Sequence, residues 1–264
     1  MVTVFRLTLQ KKNVRILCLD IGNTRIKAAI FDNRKYESGI SFSVHDDLKI
    51  IQITFEQWIT NKNIKHVAFA NVGWRENERL SFLINFNECV VWEINNKTKL
   101  PFKNLYKTPE TLGMDRLCGI AGAYCDYSHQ PILVIDAGTA ITYDFLNDKN
   151  EYLGGAISPG MSLKYKSLHQ YTSKLPLVNF DENFPFIGQS TIESIRTGVQ
   201  SSTIAEIEGM IARYQALCNQ KLKVILTGGD AQFLSQHITL QHEVNHHLVL
   251  KGIDFLINYN LKNG

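Results

Sequence analysis

Two short stretches of this chain combine the residue types that phosphate chemistry needs. Ile16-Leu17-Cys18-Leu19-Asp20-Ile21-Gly22-Asn23-Thr24 is an apolar run ending in an acid, a glycine and a hydroxyl residue. Ile132-Leu133-Val134-Ile135-Asp136-Ala137-Gly138-Thr139 repeats the pattern. Such a turn offers backbone N–H groups and a hydroxyl to a phosphate, and a carboxylate to a cation. Close to half of the 264 residues separate Asp20 from Asp136. The chain therefore reads as two related lobes, and two such turns facing each other across a cleft would form a phosphoryl-transfer site.

Within the first turn, Gly22 can take a positive φ and leaves room for a phosphate against the backbone. Asn23 and Thr24 can donate to phosphate oxygens. Asp20 would hold Mg²⁺ through water, because Mg²⁺ sheds its waters reluctantly. Lys27 adds a point charge. Asp136-Ala137-Gly138-Thr139-Ala140-Ile141-Thr142 follows the same logic. Each stretch alone also fits an ordinary turn between hairpin strands; the recurrence in register favours function.

Three further stretches are compatible with ligand binding. Thr227-Gly228-Gly229-Asp230-Ala231 follows a buried strand and precedes a helix. Its two glycines let a nucleotide lie against the backbone, and a helix start favours anions. A strand-to-helix turn with Asp230 as N-cap fits it equally well. Gly154-Gly155-Ala156-Ile157-Ser158-Pro159-Gly160 does not match a dinucleotide fingerprint and reads as a strand-ending loop, and no Walker A pattern occurs. Gly113-Met114-Asp115-Arg116 opens a helix, where an acid beside an arginine suits an N-cap and a salt bridge. His242 and His246 have a spacing that would bind a metal on a helix. The run Ile238-Thr239-Leu240-Gln241 reads no more clearly as helix than strand, so these two, with His237 and His247, are read as surface histidines.

The elements that must position these residues follow from periodicity. The first lobe opens with a strand at 14–20, a hairpin of Arg25 to Phe31 and Tyr36 to Val44, and an amphipathic helix at 47–60. A strand from Val67 to Val72, a charged helix near 75–86, a strand at Cys89-Val90-Val91-Trp92 and a helix to about Tyr127 follow. The second lobe repeats the order: strands at 131–136, 140–145 and 152–157, a long helix from about Thr191 to Leu217, a strand at Val224-Ile225-Leu226 and a last helix near 249–259. Hairpins followed by alternating helices and strands, twice, describe an α/β protein of the actin/hexokinase-like (ASKHA) superfold. It would have two ribonuclease-H-like lobes with a cleft between them. The expected division is 1–127 and 128–264, with 1–13 as an extension.

Composition narrows the setting. The 28 Lys+Arg against 25 Asp+Glu give a net charge of +3, too balanced to indicate nucleic acid, and no basic tract occurs. No apolar run approaches a membrane span. The five cysteines form no C-x-x-C pair and read as reduced core thiols, which suggests the cytoplasm.

Together the motifs resemble those of the type III pantothenate kinases. They are Asp20-x-Gly22-Asn23-Thr24-x-x-Lys27, Gly113-x-Asp115-Arg116, Asp136-x-Gly138-Thr139-Ala140-x-Thr142, Gly154-Gly155-x-Ile157-x-Pro159-Gly160 and Thr227-Gly228-Gly229-Asp230-Ala231. They stand in the family's order and span nearly the whole chain from residue 15. One departure is Ala70-Asn71-Val72-Gly73, where the family commonly shows serines and then a valine.

The resemblance implies phosphorylation of pantothenate by ATP to 4′-phosphopantothenate, the first step of coenzyme A synthesis. It also implies a cytoplasmic homodimer that uses Mg²⁺ and a monovalent cation, K⁺ or NH₄⁺. By the matching positions, Asp115 would be the base. Tyr106, Gly113, Met114, Asp115 and Arg116 would contact pantothenate, with Thr191 reaching it from the partner subunit. Asp136 would hold the monovalent cation and Thr139 would face the phosphates, alongside Asp20 to Thr24, Lys27, Gly138, Gly228 and Gly229. Two alternatives stand beside this: another phosphotransferase of the same superfold, or an accessory protein that keeps the fold without catalysis.

Overall fold

The computed structural model describes residues 15–71 and 89–263. The helix expected near 75–86, the extension before Val14 and the Val72-Gly73 pair lie outside these residues. The first sheet comprises β1 (Arg15–Ile21), β2 (Arg25–Asp32), β3 (Lys35–Ser43), β4 (His66–Asn71) and β5 (Val90–Glu93), in the order β3-β2-β1-β4-β5. A short β6 (Lys103–Asn104) precedes the second set: β7 (Ile132–Ala137), β8 (Ala140–Leu146), β9 (Glu151–Pro159), β10 (Lys223–Thr227) and β11 (Glu243–Val244). These form a sheet in the order β11-β10-β7-β8-β9-β6.

The two sheets share one plan. β1 pairs antiparallel with β2 and parallel with β4, and β7 pairs antiparallel with β8 and parallel with β10. Both central strands are apolar on both faces, as strands covered on each side must be. The β2–β3 turn places Asn33 and Arg34 at φ of 48° and 67°, the paired left-handed geometry that suits the twist of a tight hairpin. Arg34 is held there by donating to Cys125 Sγ at 2.9 Å and by lying over the Phe255 ring.

The helices are α1 (Leu48–Ile59), α2 (Met114–Tyr127), α3 (Met161–Gln170), α4 (Thr191–Ala216), α5 (Ala231–His237) and α6 (Leu248–Asn263). Asp47 caps α1 by accepting from the Lys49 N–H, and Ile51 and Phe55, one turn apart, enter the core. Ser190 and Glu193 form a reciprocal capping box at the start of α4.

α2 and α6 lie between the two sheets. Their Leu117, Ile120, Leu250, Ile253 and Leu256 join Ile16 and Cys18 of β1 with Ile132 and Val134 of β7 in one cluster. The two helices approach so closely that a Cβ on Gly252 would lie 1.7 Å from the Cys118 carbonyl oxygen. The lobes thus share a core, and β6, from the segment before α2, completes the edge of the second sheet beside β9.

Three local details matter for the cleft. Gly154 and Gly155 lie inside β9, within the strand expected at 152–157: β9 passes β8 so tightly that a Cβ on Gly155 would sit 1.5 Å from the Tyr143 carbonyl oxygen. The proline and Gly160 end that strand and start α3, which the periodicity did not reveal. His242 and His246 flank β11 and are not on a helix. Among the described residues no helix is long and apolar enough to cross a membrane.

Candidate active site

The β1–β2 and β7–β8 turns meet at the mouth of a cleft of about 1010 Å³. Each turn is closed by its glycine N–H: Gly22 donates to the Arg25 carbonyl three residues on and Gly138 to the Ala140 carbonyl two residues on, both at 3.0 Å. The Thr24 and Thr139 hydroxyls then lie 3.2 Å apart. Asp20, Gly22, Asn23, Thr24, Lys27, Asp115, Arg116, Asp136, Gly138, Thr139, Gly228 and Gly229 all line this one space.

Five carboxylates line the cleft: Asp20, Asp115, Asp136, Asp144 and Asp230. Asp20, across the β1–β2 ladder from Lys27, is pushed up to about 7, chiefly by burial; Asp115 and Asp136 add to the rise and Lys27 opposes it. Asp115, in the first turn of α2, is pushed up to about 6 by burial and by Asp136, against the Arg116 N–H that donates to it at 2.9 Å. Burial also raises Asp136, with Lys27 opposing. Burial is the leading cause for these three, and neighbouring carboxylates add to it. Carboxylate oxygens are hard donors suited to Mg²⁺ or an alkali cation. Among the described residues no group of three or more His, Cys, Asp or Glu could hold a metal ion. A cation here would therefore complete its shell with water, backbone carbonyls or substrate phosphate, which is the usual way of Mg²⁺ with nucleotides.

The turn after β10 covers Asp136. Gly228 has φ of 98°, and a Cβ there would lie 2.2 Å from the Ala137 carbonyl oxygen and 2.5 Å from Asp136 Oδ1. Only glycine permits this path. Gly229 beside it faces open space. Asp230 occupies the N-cap position of α5 but makes no capping bond; burial pushes its carboxyl up to about 6.

Arg116 is buried in the cleft wall and paired with Asp144, a residue the sequence reading did not single out. Asp144 Oδ1 accepts from Arg116 Nε at 2.8 Å and from the Tyr152 hydroxyl at 2.7 Å, and Oδ2 accepts from Thr142 at 3.1 Å. The Tyr106 ring lies 5.6 Å from the Arg116 guanidinium carbon, so Tyr106 joins the site beside the cleft. Gly113 is the N-cap of α2, and Met114 packs on the shared core. Thr191 stands apart: it opens α4 and lines a separate groove with Lys164 and Leu168.

Sequence reasoning also missed His45 and Lys166, which line the cleft together with His246 and His247. His246 and His247 are exposed, as the surface reading has them, and the turn before α6 carries them to the edge of the cleft, where His247 stacks on Tyr36 at 4.2 Å. Their position depends on tertiary packing that no local spacing encodes.

Mirrored sheets with facing acid-glycine turns across an acid-lined cleft define a two-lobed α/β protein of the actin/hexokinase-like class. The family model described as type III pantothenate kinase matches residues 16–213. A type III pantothenate kinase of Flavobacterium johnsoniae is 39% identical over 248 residues, covering 94% of this chain and 99% of the relative. One from Bacteroides fragilis is 35% identical over 254 residues, covering 92% and 98%. The chain belongs to the type III pantothenate kinase family. Among solved structures, a conserved Baf family protein from Campylobacter jejuni superposes with a TM-score of 0.59 at 24% identity, covering 93% of this chain and 99% of that one. The ethanolamine utilization protein EutJ from Carboxydothermus hydrogenoformans gives 0.54 at 13% identity, covering 93% and 90%. These two likenesses concern the fold.

Proposed function

We propose that this chain transfers the γ-phosphoryl group of ATP to the hydroxyl of pantothenate, giving 4′-phosphopantothenate, with Asp115 as the base. The observation that carries this reading is the position of Asp115. It stands at the start of α2, in the same cleft as Asp20, Asp136 and the facing Thr24 and Thr139. A carboxylate with a pKa near 6 is ionised at neutral pH yet basic enough to orient a hydroxyl and take its proton late.

The remaining residues bind and orient. Thr24, Thr139 and the N–H groups of both turns face the phosphates, with Lys27 supplying positive charge. Gly228 and Gly229 give the nucleotide an open backbone surface. Asp20 would hold Mg²⁺ and Asp136 K⁺ or NH₄⁺; when bound, these cations neutralise the triphosphate. Arg116 takes the pantothenate carboxylate, flanked by Tyr106 and by the backbone of Gly113 and Met114.

A homodimer belongs to this reading. Thr191 lies outside its own cleft, at the exposed start of α4, where it is free to reach the acceptor bound by the partner subunit. The segment joining α3 to α4 exposes Tyr171, Phe186 and Ile187, which a subunit interface would cover. A cytoplasmic setting agrees with the buried thiols of Cys18 and Cys118.

The test is ADP release from ATP by the purified protein, with and without pantothenate, in K⁺ and in Na⁺ buffer. Pantothenate-dependent, K⁺-stimulated release is expected. Release that ignores pantothenate would indicate a hydrolase or another acceptor, and no release would favour an accessory role on the same fold.

A further inference from the structure

Asp144 is buried to 1% exposure in the middle of β8, and Arg116 to 8% in the first turn of α2. They come from different elements, and their contact fixes α2 against the second sheet at the cleft. The strand register explains the placement. Asp136 pairs with Thr142 and Val134 with Asp144, so these four residues share the face of the second sheet that lines the cleft. An acid in mid-strand on a buried face needs a partner, and Arg116 supplies it through Nε at 2.8 Å and Nη2 at 2.8 Å, both to Oδ1.

We infer that Asp144 is a positioning residue that fixes the Arg116 guanidinium, one edge held by its carboxylate and one face bounded by Tyr106, so that the Nη1 side is presented to the carboxylate of the acceptor. This rests on the reading that the acceptor is pantothenate. Three observations and one general argument carry it. Both Asp144 oxygens are engaged, Oδ1 by Arg116 and Tyr152 and Oδ2 by Thr142, so the carboxylate cannot turn without breaking bonds. The Tyr106 ring, 5.6 Å from the guanidinium carbon, limits the arginine on another side. Asp144 reaches Nε and Nη2 and leaves Nη1 unengaged by it, so the carboxylate holds only one edge of the guanidinium. Finally, replacing a buried ion pair by apolar residues of similar volume is often neutral or stabilising. Its presence in a cleft wall is better explained by orientation than by stability.

The experiment compares full-length wild type with Asp144→Asn, Arg116→Ala and the double variant. It reads kcat, KM for pantothenate, KM for ATP and Tm. Asp144→Asn is expected to raise KM for pantothenate by about tenfold, leaving KM for ATP within about twofold. In the Arg116→Ala background the same change should add less than about twofold, because a residue that acts through arginine has nothing left to act on. Tyr152→Phe removes one bond to Oδ1 and keeps both charges. It should raise KM for pantothenate by about two- to threefold, and it carries the test if Asp144→Asn does not fold. An unchanged KM for pantothenate, multiplicative losses in the double variant, or parallel rises in both KM values with a falling Tm would overturn the inference. Wild type that turns over ATP without responding to pantothenate would overturn the proposed function, and this inference with it; that outcome is read before any variant is.

Discussion

Thr24 and Thr139, 115 positions apart in sequence, bring their hydroxyls within 3.2 Å across the cleft. They are equivalent residues of the two lobes, each following an acid and a glycine at the end of a central strand. In this arrangement one hydroxyl satisfies the other. A phosphate between the turns would accept from both, exchanging one neutral hydrogen bond for two charge-assisted ones.

Removing either hydroxyl should therefore weaken nucleotide binding with little effect on the fold. Thr24→Val and Thr139→Val are each expected to raise KM for ATP by about tenfold. Both side chains are partly or well exposed, so stability should change by no more than about 0.5 kcal/mol. Steady-state kinetics and thermal melts of the two variants check this. An unaltered KM for ATP in both would remove these hydroxyls from the phosphate site.

Asp115 should separate activity from stability. Asp115→Asn is expected to lower kcat by about 10²–10⁴-fold. The protein should remain as stable as wild type or more so, because the native carboxyl, pushed up to about 6 from 3.8, disfavours the charged folded state at neutral pH. A base must be deprotonated to act, so wild-type kcat/KM should fall as pH drops through about 6. A pH–rate profile and a melt at pH 7 measure both. Near-normal turnover by Asp115→Asn would exclude it as the base.

The two adjacent glycines after β10 should respond differently. Gly228→Ala places a methyl 2.2 Å from a carbonyl oxygen and 2.5 Å from Asp136 at a positive φ. A loss of about 2–4 kcal/mol is expected, together with loss of K⁺ stimulation. Gly229→Ala meets nothing within 4 Å and should fold normally. Chemical denaturation of the pair makes the comparison, and equal effects at both positions would contradict the close approach.

How much of this was legible in the sequence depends on the range over which each feature is encoded. The two acid-glycine-hydroxyl turns are local, and they appeared with their strands to within a residue or two. Asp115 and Arg116 read locally as a cap and a salt bridge; the structure gives the arginine a different partner, Asp144, 28 positions away. Asp144 itself sits in Ala140-Ile141-Thr142-Tyr143-Asp144, where alternation leaves open which face is covered. Both faces are, because β8 packs between α2 and the α4 layer. β6 has only two residues, below any periodic signal, and the shallow amphipathic pattern of α3 hid it beside the Pro159-Gly160 break.

Asp254 offers a stability test away from the cleft. It is buried in α6, and its carboxyl is pushed up to about 6 from 3.8 by that burial, with Arg34 and Asn258 opposing. The unfolded chain releases this proton at lower pH than the folded one, so this group stabilises the fold below about pH 4. Its contribution declines as pH rises towards 6. Asp254→Asn should thus gain on wild type as pH increases, by up to about 3 kcal/mol at pH 7.5 relative to pH 4. Urea denaturation of both proteins at the two pH values measures the difference, and a pH-independent difference would show that Asp254 is not held in this state.

The shared core has a consequence for how the protein is made. β1 is synthesised first, yet the side chains that cover it include those of α6, which follows every strand of the second sheet. A ribosome-bound chain carrying only the first sheet would leave Ile16, Cys18 and Ala68 uncovered. The first lobe can close only once α6 has left the exit tunnel, so folding in the cell should be late and nearly all at once, and not lobe by lobe.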